Sequence, residues 1–245
     1  MCRRHPDSQH PDNKRAIENL KDRGFPIRWD HEIFGEFTDG MSLLPWARSL
    51  NVAACLAQGA DYIFILDDDV WFRREDIADA INSGLPIVGL PVMLKTQNLR
   101  SRTMNYSTLD GEPFIDVDKD FRQIKSIGTG AMVVKAEVFR ALQKTRPYFL
   151  ADGFQSFRPH LPIQENCFDY FPTGVQDIDG KPRYIGEDYG FCFSAMSVGY
   201  PTFCHNGSMT AHMISGVPNG YLCDMIQMRK WVREGTLVQG EAFNL

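Results

Sequence analysis

Tyr62-Ile63-Phe64-Ile65-Leu66 runs without a break into Asp67-Asp68-Asp69. Apolar residues that are mostly β-branched or aromatic make a strand suited to burial on both faces, as in the sheet of an α/β protein. Carboxylates at the C-terminal end of such a strand stand where open α/β sheets bind their ligands. Like charges crowded at one strand end repel unless a cation joins them. A divalent metal carrying a phosphorylated substrate is the simplest such cation. On extended backbone Asp67 and Asp69 point the same way and Asp68 the opposite way. Mg2+ and Mn2+ take oxygen ligands of this kind and accept phosphate oxygens in their other positions. Taken alone, the triplet also reads as a solvated loop whose charges favour the start of the next helix.

The segments around this strand alternate in character. Asn13–Arg23 reads as a helix closed by Gly24, and Pro26–Phe34 as a short strand. Pro45 opens a helix in which Trp46, Leu50, Ala53, Ala54 and Ala57 share a face, and Gly59 ends it. After the acids, Arg74–Asn82 reads as a helix stopped by Ser83-Gly84, and Pro86–Leu94 as a buried strand. Strand, helix and strand in succession predict an α/β domain with a mixed, mostly parallel sheet flanked by helices. Residues 95–122 form a polar excursion without a clear period. Ile124–Val134 returns to strand character around Gly128-Thr129-Gly130, followed by a helix over Lys135–Gln143. Residues 151–181 are loop-rich but hold Phe154, Phe157, Phe168, Tyr170 and Phe171, which read equally as satellite core or as a substrate platform. Glu187–Val198 reads as a helix, Thr202–His205 as a strand, and Tyr221–Arg233 as an amphipathic helix with Leu222, Met225, Ile226 and Val232 on one side.

A chain of 245 residues with 43% hydrophobic content fits one domain with a sizeable core. Its net charge of −5 gives no general attraction to nucleic acid or anionic membrane. Lys95, Arg100, Arg102, Lys119, Arg122 and Lys125 nonetheless concentrate positive charge around one excursion. No apolar run approaches the ~20 residues of a membrane helix. Met1-Cys2-Arg3-Arg4-His5-Pro6 has no apolar segment behind its charges, so a cytoplasmic protein is expected. The six cysteines include no C-x-x-C pair and read as buried thiols. Cys204-His205 with Cys192 does not have the spacing of a common zinc site.

Two further constellations can carry chemistry. Gly186-Glu187-Asp188-Tyr189 places adjacent carboxylates at a helix start, as caps or as a general base for an acceptor hydroxyl. His212, in Thr210-Ala211-His212-Met213, follows that helix and is either packed or a ligand.

The order of these elements resembles GT-A glycosyltransferases, particularly small family-2-like enzymes of phage and bacterial genomes. The matching segments are Ala47-Arg48-Ser49-Leu50-Asn51, Gly59 to Val70, Gly128 to Met132, Gly186 to Cys192, and the region of His212. They span most of the chain from Trp46 to Gly216. The resemblance implies a metal-dependent transfer of sugar from a nucleotide-sugar, with a UDP-sugar as the first donor to consider. It implies Mn2+ or Mg2+ on Asp67, Asp69 and His212. It also implies that Arg48, Asp67, Asp68, Gly128, Thr129 and Gly130 face the nucleotide-sugar. Asp188 would be the base of an inverting reaction, with Glu187 supporting it. Chains of this family usually begin with an apolar strand whose following loop grips the base, and residues 1–24 hold no such strand. The acceptor implied by phage-like kin is a hydroxymethylated DNA base, and a cell-surface glycan fits the same chemistry.

Two other readings compete. A haloacid-dehalogenase-like phosphatase also carries D-x-D at a strand end, but its pattern wants Thr or Val where this chain has Trp71. A GT-A-like module that binds without turnover is the non-enzymatic alternative.

Overall fold

A computed structural model describes residues 44–67, 70–93, 105–109, 115–151, 162–178, 180–214 and 217–236. The helix expected over Asn13–Arg23, the strand over Pro26–Phe34, and Phe154 and Phe157 lie outside these residues, as do Lys95, Arg100 and Arg102. Helix α1 spans Leu44–Ala57 and buries Leu50, Ala53 and Ala54 completely. Small side chains on that face let the helix lie close to its neighbours, and it packs with Ile163 and Cys167 around the 3-10 turn Ile163–Asn166. Gly59 takes a φ of 74°, the left-handed conformation that ends the helix as expected.

Strand β1 is Tyr62–Leu66, β2 is Val70–Phe72, helix α2 is Arg74–Asn82 and β3 is Ile87–Gly89. The short strands β4 (Tyr106–Ser107), β5 (Phe121–Ile124) and β6 (Ser126–Ile127) precede β7, Ala131–Lys135, and helix α3, Ala136–Leu142. A hairpin of β8 (Gly174–Ile178) and β9 (Lys181–Ile185) leads into helix α4, Glu187–Ser197. Strands β10 (Thr202–His205), β11 (Met209–Ile214) and β12 (Val217–Asp224) then precede helix α5, Met225–Arg233.

The central sheet has the order β1-β7-β3-β10-β5. Its faces are covered by helices, which establishes the α/β class. Alternate residues of β1 enter different cores: Ile63 and Ile65 join α3 and α4 on one face, while Leu66 joins α2 on the other. The sheet is mixed, and less parallel than the strand–helix–strand alternation predicts. Among the described residues only β3 and β10 pair in parallel, whereas β1–β7, β3–β7 and β5–β10 are antiparallel. Strands β1 and β3 do run the same way, but β7 inserts between them in reverse. Ala131 to Val134 of β7 are all buried there, which makes β7 a central strand with both neighbours antiparallel.

Two further expectations change. The backbone of Tyr221 and Leu222 belongs to β12, and α5 begins only at Met225, where the Asp224 carboxylate caps the Gln227 amide at 2.9 Å. Ile226 is exposed while Met225 and Met228 are buried, so the apolar face of α5 differs from the expected one. Among the loop aromatics, Tyr170 and Phe171 are fully buried and join Phe139 and Phe191. Phe191 stacks on both Phe139 and Phe171, with centroids 5.4 and 5.1 Å apart. These rings are core, and they fasten α4 to α3.

Candidate active site

The start of α1, the end of β1 and the start of α4 meet at one guanidinium. Arg48 Nη2 donates to Asp67 Oδ1 at 2.9 Å, and Nη1 donates to Asp188 Oδ1 at 2.7 Å and to Glu187 Oε1 at 3.0 Å. The Arg48 side chain is 4% exposed, while Asp67, Glu187 and Asp188 keep 32%, 24% and 33% of theirs accessible. Acids from segments more than a hundred residues apart in sequence therefore share one buried cation and line an accessible rim. Among the described residues, three carboxylates thus face one guanidinium. Both Glu187 and Asp188 lie in the first turn of α4, where the helix dipole favours anions.

The glycine-rich segment after β6 forms the wall facing these acids. The Asp67 amide donates to the Gly130 carbonyl at 2.9 Å, which fixes the end of β1 against β7. The Thr129 hydroxyl, fully buried, donates to Asp188 Oδ1 in a short hydrogen bond. Asn105 steadies this segment: its carbonyl accepts from the Gly128 amide at 2.6 Å and its side-chain oxygen accepts from the Val92 amide at 2.9 Å. Gly190 positions α4 itself, because a Cβ there would lie well under 3.0 Å from the Pro172 carbonyl oxygen. No side chain larger than glycine lets the helix approach that backbone so closely.

The Asp188 carboxyl is raised from its ordinary value, foremost because its surroundings strip water from it. Arg48 and the Thr129 hydrogen bond pull it back down, and the nearby charges of Glu187 and Asp67 push it up again. A carboxylate of raised basicity, oriented by two donors and still open to solvent, has the properties of a general base.

His212 lies on β11, which pairs with β2 so that His212 stands opposite Val70, the residue that follows Asp69. Its Nδ1 is 2.8 Å from the Met93 carbonyl oxygen. Nδ1 is the donor in that contact, since a carbonyl can only accept, and in the neutral tautomer this leaves the lone pair on Nε2. Ring nitrogens bonded to backbone carbonyls in this way are typical of metal-ligating histidines. Asp68 and Asp69 lie outside the described residues.

The fold also gathers a group that sequence spacing does not announce. Ligand atoms of Asp76, Asp79 and His205 lie within 4.8 Å of one another and could hold a metal ion. Their present partners are internal. Arg73 and the Met209 amide bind the Asp76 carboxylate, the latter at 2.8 Å. His205 Nδ1 accepts from the Gly207 amide at 3.1 Å, which puts the neutral ring's proton on Nε2, 3.8 Å from Asp79 Oδ2. An ion at this group would replace that proton. Cys204 and Cys192, read beside His205 in the sequence, are buried thiols and not part of this group.

The described basic residues of the 95–125 excursion do not share one surface. Arg122 is buried, in an interior shared with Tyr106 and Cys204, and Lys119 faces Asp116 at 3.4 Å. No helix among the described residues is long and apolar enough to cross a membrane.

No protein-family model matches the chain, and no curated protein matches it. Among solved structures the chain is similar to A197 from STIV, at 19% identity and a TM-score of 0.41, over 71% of this chain and 70% of that one.

Proposed function

We propose that this protein is a metal-dependent glycosyltransferase that moves a sugar from a nucleotide-sugar to an acceptor hydroxyl with inversion. The observation that carries the reading is the convergence of Asp67, Glu187 and Asp188 on Arg48, with Asp188 held by Thr129. A transferase of the GT-A type requires acids at the strand end and at the helix start, and the contacts of Asp67 with Arg48, which also holds Glu187 and Asp188, support that reading. Asp67, Asp69 and His212 would hold Mn2+ or Mg2+, which when bound neutralises the departing diphosphate. The placement of His212 beside Val70, with Nδ1 bonded to Met93, suits that donor set.

Asp188 takes the proton of the acceptor hydroxyl as the oxygen attacks the anomeric carbon. Arg48 and Thr129 fix the direction from which its carboxylate approaches. Glu187 shares the Arg48 charge and keeps the guanidinium in place. A UDP-sugar is the donor to test first, and the acceptor to test first is a hydroxymethylated DNA base, followed by a glycan.

The test is nucleotide release from a panel of nucleotide-sugars with and without Mn2+ or Mg2+. The expected result is release from one donor, abolished by chelator, by Asp69→Ala and by Asp188→Asn. Donor binding without any release points instead to a binding module. No binding and no release with any donor refutes the transferase reading.

A further inference from the structure

Arg48 divides its work between two nitrogens. Nη2 donates to Asp67, and Nη1 donates to Glu187 and Asp188. Losing one set of contacts therefore does not require moving the other. The side chain is buried and issues from a helix packed against the interior, so the guanidinium is held in position rather than drawn in from solvent. It cannot give up its charge by deprotonation. Asp67, in contrast, is the carboxylate of the three that belongs to the acidic strand end.

We propose that Arg48 is a placeholder for the metal at Asp67: it neutralises that carboxylate before loading and releases it, while keeping Glu187 and Asp188, when a divalent ion enters. The proposal rests on the transferase reading above. A doubly charged hard ion competes well for a carboxylate oxygen. A monovalent ion offers no more charge than the guanidinium already there, so Arg48 also excludes it. The same residue is then a positioning residue for the base after loading, since its Nη1 contacts persist. This assigns Arg48 a place among the acids, in addition to the nucleotide contact that the resemblance implies.

The consequence is a metal affinity lower than the acids alone would give. Mn2+ titrated alone into the full chain at neutral pH, with the free ion followed by electron paramagnetic resonance, reads this directly. Arg48→Met keeps the length and removes the charge. It is expected to bind Mn2+ roughly tenfold more tightly than the natural chain, the equivalent of one charge-assisted hydrogen bond no longer opposed. Arg48→Lys keeps a charge, but one ammonium cannot span Asp67 and the Glu187–Asp188 pair, so its affinity should fall between the two. This second variant decides the matter if Arg48→Met does not fold.

Asp67→Asn and Asp79→Asn identify which group holds the ion. Binding lost with Asp67→Asn and tightened by the Arg48 variants supports the proposal. Binding that depends on Asp67 but is no tighter in the Arg48 variants overturns the placeholder role and leaves the transferase reading standing. Binding lost only with Asp79→Asn, or none at all, overturns both the proposal and the metal assignment beneath it.

Discussion

His205 offers a measurement that is independent of any activity. Its ring is buried against Phe121, with centroids 4.7 Å apart, and Nδ1 accepts from the Gly207 amide. Protonating Nδ1 would set two donors against each other, and Nε2 has no hydrogen-bond partner among the described residues. Burial foremost, helped by the charges of Arg73 and Arg229 and opposed by Asp79 and Asp120, lowers its pKa from 6.5 to about 4. A depressed histidine contributes stability that is fully present above the unfolded value and is lost as pH falls toward the folded one. Over that window the unfolded chain binds more protons, so stability rises with pH. Between pH 7.5 and pH 4 the loss should be about 3 kcal/mol. The side chain is only 4% exposed, so solvent screening takes little from this figure. His205→Asn places an amide oxygen where Nδ1 accepts the Gly207 amide and removes the titration. The assay is urea unfolding followed by tryptophan fluorescence across pH 4 to 7.5, with chelator present to keep metal from the Asp76–Asp79–His205 group. The variant should be the less stable protein at pH 7.5, with the gap closing by about 3 kcal/mol toward pH 4. Parallel pH profiles for the two proteins would refute the reasoning.

Two other substitutions probe how Asp188 is held. Thr129→Val removes the hydroxyl that pulls the Asp188 carboxyl down, so on the proposed transferase reading the acidic limb of the pH–rate profile should move to higher pH. Turnover should fall about tenfold with little change in folding stability, measured as kcat against pH and by urea midpoint. Gly190→Ala drives a methyl group into the Pro172 carbonyl and should destabilise the protein by about 3 kcal/mol, read as a lowered urea midpoint at unchanged slope. An unchanged midpoint would mean that α4 can shift away from Pro172 at little cost.

Elements whose identity depends on local chemistry were legible in the sequence. Helix α2 occupies Arg74–Asn82 and β10 occupies Thr202–His205, as the turn residues and apolar runs predict. Relations between elements were much less so. Strand β7 is read as a strand from its own residues, but nothing local says that it inserts between β1 and β3 in reverse, because that choice is made by packing on both faces. The start of α5 lies later than the sequence predicts for a similar reason. Tyr221 and Leu222 suit a helix or a strand, and their pairing with β11 decides. The hairpin of β8 and β9 has no signature in the sequence, because its residues lack a clean alternation and its strands stay largely exposed, with Val175 and Tyr184 both facing solvent.

The candidate site divides along the same line. Asp67 and the Glu187–Asp188 pair stand out in the sequence because each belongs to a run of adjacent carboxylates at the end of a readable element. The partner itself does not stand out. Arg48 is one of many arginines, and only the fold shows that its two terminal nitrogens reach different halves of the acid cluster. Thr129 is equally silent in sequence, since its contact with Asp188 joins residues 59 positions apart. Resemblance assigns such residues to the ligand, whereas their contacts here are with the acids. The two assignments make opposite demands on Arg48→Met. A residue that serves only the nucleotide should leave Mn2+ affinity unchanged when Mn2+ is titrated alone. A residue that holds Asp67 should raise that affinity when its charge is removed.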